Sequence, residues 1–141
     1  MSTLTLRLAL VAIGCALAPD AMAQAPSRAE VPAPDPAGAW RGTSRCLVHP
    51  SACRDEVVVY RIARLGAADS LSVDARKIVR GEEEAMGVLG CHLAAARGEL
   101  TCPIPHGTWR FTVLGDSLVG ELRLTDGTRF RDVRAARSRG P

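Results

Sequence analysis

The chain has 141 residues, 18 basic and 15 acidic side chains for a net charge of +3, and 47% hydrophobic residues of which few are aromatic. That length makes one domain with a real but modest core. The small positive charge does not make a nucleic-acid binder: seventeen of the basic residues are arginine, and the excess sits mostly in Arg123 to Pro141, so it reads as compositional bias. It leaves an anionic envelope surface as a weak partner.

Residues 1–23 carry one basic residue, Arg7, then an apolar run from Leu8 to Leu17, then Ala21-Met22-Ala23 before Gln24. A charged start, a short hydrophobic core and a small-x-small site describe a cleavable secretory signal peptide. The run is about ten residues, against the roughly twenty that span a bilayer. A periplasmic or secreted protein is the expectation. The alternative is a lipoprotein anchored through Cys15, which follows Ala12-Ile13-Gly14 but lacks the usual leucine three positions back.

Past the leader the cysteines are even in number: Cys46, Cys53, Cys91 and Cys102. In an oxidising compartment they read as disulfides. Cys91 and Cys102 stand almost symmetrically about Arg97-Gly98-Glu99, so a hairpin there sets them opposite each other; Cys46 and Cys53 flank His49-Pro50-Ser51 and close a smaller loop. The expected pairs are Cys46 with Cys53 and Cys91 with Cys102. A metal site on these cysteines and on His49, His92 and His106 would want C-x-x-C or H-x-x-x-H spacing, and neither occurs, so no metal and no cofactor is called for.

Residues 24–37 hold Pro26, Pro32, Pro34 and Pro36 with little to bury, the composition of a disordered tether. A β-domain is expected over 38–137, with the basic stretch from Arg134 fraying and 138–141 a disordered tail. Short strands are predicted at Ala39 to Leu47, Glu56 to Arg64, Ser70 to Val79, Leu89 to Ala96 and Leu100 to Ile104. Ile78 breaks the alternation of Leu71, Val73 and Ala75, which predicts a bulge or bend near it. Gly81-Glu-Glu-Glu-Ala-Met reads as a loop or a short helical turn.

The clearest pattern is Thr108 to Thr125. Trp109, Phe111 and Val113 alternate with polar residues, Gly115-Asp116 makes a turn, and Leu118, Gly120, Leu122 and Leu124 alternate again. Counting outward pairs Val113 with Leu118, Phe111 with Gly120 and Trp109 with Leu122, and sets Arg110 against Glu121 on the outer face. Asp126-Gly127 leads into a last strand, Thr128 to Val133. A bulged turn there pairs Leu122 with Phe130; the alternative places Arg129 and Arg131 inward, which unpaired burial disfavours.

Eight strands joined by short connections predict an all-β fold, an antiparallel meander closing into a small up-and-down barrel; an open twisted sheet or a sandwich is the alternative. Gly38-Ala39-Trp40 resembles the Gly-x-Trp opening of the calycin superfamily, the lipocalins and their relatives. That resemblance implies an arginine of the last strand lying across the tryptophan, with Arg131 or Arg134 in that part. Trp40 to Thr43, Lys77 to Val79 and Asp126 to Thr128 are also similar to segments of uncharacterised small exported bacterial proteins, a likeness that implies no activity.

Two roles fit such a chain. The first is a small binding protein holding an apolar or amphipathic ligand in the barrel, with Trp40, Tyr60, Trp109, Phe111 and Phe130 as candidate lining residues and Gly42 and Gly120 leaving room for a ligand or for a neighbouring ring. The bland reading makes the aromatics an ordinary core. The second role is a monomeric interaction module or inhibitor whose partner is an exported enzyme engaged by the Pro-rich segment. Catalysis is not expected: Glu82, Glu83 and Glu84 read as a solvated run, His106 as a turn residue, and no nucleophile, phosphate-loop or metal motif is present.

Overall fold

The computed structural model of the protein describes residues 33–139. The leader, Cys15 and residues 24–32 of the tether lie outside the described residues. Eight strands follow in chain order: β1 (Gly38–Cys46), β2 (Glu56–Arg64), β3 (Ser70–Val79), β4 (Glu82–Ala94), β5 (Glu99–Ile104), β6 (Gly107–Leu114), β7 (Ser117–Leu124) and β8 (Arg129–Arg137), with a single 3-10 turn at Ala95–Arg97. Each pairs antiparallel with the next, and β8 returns to β1, so the barrel is closed in sequence order. No helix among the described residues is long and apolar enough to cross a membrane.

Period-two alternation explains most of the wall. In β2, Val58, Tyr60 and Ile62 are buried, and in β3 so are Leu71, Val73 and Ala75. They meet Leu93, Leu100, Phe111, Val113, Leu118 and Val133 in one continuous core. The β6–β7 hairpin has the register expected from its sequence, with Val113 opposite Leu118, Phe111 opposite Gly120, Trp109 opposite Leu122, and Arg110 opposite Glu121. Gly120 is glycine because Phe111 lies over it: a Cβ there would come within 2.5 Å of the ring. Both disulfides form as the spacing implies, Cys46 to Cys53 and Cys91 to Cys102.

Several expectations are corrected, three of them at turns and bulges. The acidic segment after Lys77 is neither loop nor helical turn: Arg80 (φ 53°) and Gly81 (φ 87°) both take the left-handed region, as a two-residue hairpin turn requires, and Glu82 begins the longest strand. The bulge expected near Ile78 lies instead at Ala75/Arg76, where Met86 is the extra residue on β4. At the β7–β8 turn Leu122 pairs with Arg131 and Arg123 with Arg129, so Phe130, not an arginine, is the residue left over. Arg131 therefore shares the inward face with buried Val133 and Ala135. What makes this tolerable is that the charge is not alone: its guanidinium donates to Ser44 Oγ at 3.1 Å and lies 3.3 Å from the Glu56 carboxylate.

The two ends of the barrel are built differently. At the end where β1 begins, Trp40 is fully buried and its indole N–H donates to the Pro36 carbonyl at 2.9 Å. The arginine that crosses the Trp40 ring is Arg137, 4.2 Å from its centroid, rather than Arg131 or Arg134. Arg137 also donates to the carbonyls of Asp35 (2.7 Å) and Ala37 (2.8 Å), while Arg64 pairs with the Asp35 carboxylate at 2.9 Å. Strand β8 thus stays ordered through Arg137, and Asp35 to Ala37, read from sequence as tether, are strapped over the barrel. At the opposite end, Glu56, Lys77 and Arg131 occupy inward positions: Glu56 lies 3.3 Å from Arg131 and 4.0 Å from Lys77, and Lys77 lies 3.9 Å from Glu84. Two cations and two carboxylates line that mouth.

Candidate functional site

Among the described residues the wall is least paired between β4 and β5. Their ladder has only three rungs, His92 with Thr101, Leu93 with Leu100 and Ala94 with Glu99. The Cys91–Cys102 disulfide, with Cα atoms 4.2 Å apart, stands next in register, and beyond it Glu82 to Gly90 has a partner on the β3 side alone.

Backbone direction explains why the ladder stops. The Leu93 N–H donates to Asp69 on the β3 side at 2.7 Å, so the alternate residues Cys91 and Leu89 also turn their backbone groups toward β3, and His92, Gly90 and Val88 turn theirs toward β5. On β5 the Val113 N–H meets the Gly98 carbonyl at 3.0 Å; by the same alternation Thr101 and Pro103 face β4. The next rung would join Gly90 to Pro103, and proline has no N–H to give. Pro105 repeats the obstacle two residues on. The slot is written by those two prolines, and along its β4 side by Gly87 (φ 141°) and Gly90, which fill nothing.

Behind the slot lies a cavity of about 170 Å³. Tyr60, Ala75, Leu89, Ile104 and Trp109 line it, with Met86 and Gly87 at its rim. Trp109 stacks on Phe111 with ring planes 6° apart and centroids 5.5 Å apart, and Tyr60 meets Phe111 edge to face at 5.3 Å. The aromatic residues named from sequence therefore separate. Tyr60 and Trp109 face the cavity, Phe111 supports both from beneath, Trp40 seals an end, and Phe130 is the half-buried bulge residue outside the core. Gly42, like Gly120, accommodates protein rather than empty space, because a Cβ there would meet the Arg134 carbonyl at 2.0 Å.

The cavity is electrically quiet. Among the described residues Tyr60 is the one ionisable side chain on its wall, and burial pushes the phenol well above its ordinary value, with nearby Arg131 only partly opposing that. The acidic run is deployed around the rim: Glu83 makes a two-pronged pair with Arg61 (2.7 and 2.9 Å), whose hydrogen bonds hold its carboxyl below the usual value, and Glu84 approaches Lys77. On an edge strand such charges hinder pairing with another chain. Met86 and Glu84 were not candidates from sequence, since nothing local reveals that this segment borders an opening.

No protein-family model matches the chain, and no curated protein does. Among solved structures, zebrafish ileal bile acid-binding protein complexed with cholic acid is similar at 18% identity and a TM-score of 0.42, covering 72% of this chain and 98% of that one. A likeness at that level says nothing about what this chain binds. The closed barrel stands on its own strand pairing.

Proposed function

We propose that the protein is an exported binding protein that holds a small apolar or amphipathic molecule in the cavity between Tyr60 and Trp109. The carrying observation is the coincidence of an apolar, aromatic-floored cavity with a gap in the β4–β5 ladder beside it. A core built only for stability would close that gap. Two short-loop disulfides suit an oxidising compartment, which agrees with the leader-like start of the chain.

Size bounds the ligand. An apolar cavity of about 150 Å³ holds benzene, so 170 Å³ accommodates one ring, or a fused pair with one edge in the slot. A long acyl chain or a steroid does not fit inside. The test is native mass spectrometry of protein purified from its own cell envelope, with Ala75→Phe beside it to fill the cavity. A non-covalent mass carried by the wild type and lost from a folded Ala75→Phe protein is the expected result. A ligand retained by both proteins would place binding elsewhere, and a bound enzyme instead of a small molecule would favour the interaction role.

A further inference from the structure

Three observations narrow the ligand further, given the binding role proposed above. The first is charge. Among the described residues no Asp, Glu, Lys, Arg or His lines the cavity, and the nearest inward charges already satisfy one another: Arg131 and Lys77 flank Glu56 at 3.3 and 4.0 Å, and Glu84 takes the other side of Lys77 at 3.9 Å. A carboxylate or ammonium entering here would lose its water with no counter-charge left to meet it, which costs far more than its apolar part returns.

The second observation is shape. The rings that face the cavity are Tyr60 and Trp109, the latter held flat on Phe111 beneath it, so the wall favours a flat group. The third is the polarity of the slot. The backbone N–H and C=O of Val88 and Gly90 turn toward it, beyond the last β4–β5 rung, and the facing Pro103 and Pro105 have no N–H to give the two carbonyls. These groups flank Leu89, a cavity residue, and stand where a ligand edge would emerge. A hydrogen-bonding group sealed against them without a partner would be penalised, and one that donates and accepts along a single edge would replace the missing rung.

We infer that the ligand is a neutral, planar molecule of one or two rings that carries an amide-like edge, a donor beside an acceptor, and pairs that edge with the exposed backbone of β4 at Val88 and Gly90. The prolines then serve recognition as well as access: by withholding β5 from the ladder they leave β4 free to read the ligand.

The experiment uses the oxidised protein and three probes of matched size: 2-quinolone, neutral with an amide edge; naphthalene, neutral without one; and 2-naphthoate, charged at neutral pH. Trp109 emission reports binding, since Trp40 is fully buried away from the cavity, and amide NMR reports on Val88 and Gly90. The expected order is 2-quinolone, then naphthalene weaker by roughly tenfold for the lost hydrogen bonds, then 2-naphthoate weaker again by about a hundredfold or more, with the Val88 and Gly90 amides shifting for 2-quinolone alone. Binding of 2-naphthoate as tight as that of naphthalene would overturn neutrality. Equal affinity for naphthalene and 2-quinolone, or unmoved Val88 and Gly90 amides, would overturn the edge recognition. Binding of none of the three would remove the ligand-binding role itself.

Discussion

The β6–β7 hairpin and the β3–β4 hairpin are built on the same antiparallel plan and end as opposites. In β6–β7 every inward position is apolar or fills a neighbour's gap, Phe111 resting on Gly120, and both flanks are paired along most of their length. In β3–β4 the outer half of β4 is exposed from Glu82 to Val88, carries three adjacent acids, and has no partner on its far side. Packing residues decide where the barrel is solid. Prolines and glycines, which withhold donors and volume, decide where it opens.

That contrast can be broken most forcefully from the solid side. Phe111→Ala removes the ring on which Trp109, Tyr60 and Gly120 converge, and should cost about 3 to 5 kcal/mol, read as a shift in the urea midpoint. Met86→Ala, at a rim residue 42% exposed, should stay within about 0.5 kcal/mol. Comparable losses would mean that β4 packs as tightly as β6 and that the opening is not a distinct region.

Next in size are the staples. Replacing Cys91 and Cys102 together by Ser should cost about 2 to 4 kcal/mol by the loop-entropy account, and replacing Cys46 and Cys53 a similar amount. The two pairs should differ in their local effect. The first stands at the fork where β4 leaves β5, so its loss should speed amide exchange at His92 and Thr101, while loss of the second should not.

Titration sharpens the comparison from inside. Burial raises the Tyr60 phenol above its ordinary value near 10, so the folded protein holds that proton when the unfolded chain has released it. Stability from this source is complete below about pH 10 and falls above it by up to about 1.4 kcal/mol per pH unit. Tyr60→Phe should flatten the alkaline limb. On the acid side the sign reverses. The Ala37 backbone N–H holds Asp35 low, with Arg64 and Arg137 adding to the effect, and Arg61 holds Glu83 low. Both contributions are present above the ordinary carboxylate range and fade as pH falls through the lowered values. Both pairs are exposed, so the acid effect should be the smallest and should shrink in salt.

Much of the solid region was legible in the sequence. Strict alternation on both sides of Gly115-Asp116 fixes the β6–β7 register by itself, and the near symmetry of Cys91 and Cys102 about the Arg97-Gly98-Glu99 break pointed to their pairing. The open region was not, because Glu82 to Glu84 have low strand propensity and, lying exposed, show no apolar alternation to betray a strand. Arg131 was misjudged for another reason. Whether an inward arginine is acceptable depends on Glu56 and Ser44, which only the closed barrel brings to it. Of the five aromatics proposed to line the barrel, two reach the cavity, and local patterning could not separate them from the others because all but the bulged Phe130 face inward. Pro103 and Pro105 were visible from the start, but their meaning depends on which edge they face.

The most direct test of that meaning is amide exchange along β4. If Pro103 ends the ladder, Leu89 and Cys91, turned to β3, should exchange slowly, and Val88 and Gly90, turned to the slot, should exchange fast. In Pro103→Val the restored N–H at position 103, which donates to the Gly90 carbonyl, should itself be protected from exchange while Leu89 is unchanged. Uniform slow exchange from Val88 to Cys91 in the wild-type protein would mean that the wall is closed there, and the account of access to the cavity would be wrong.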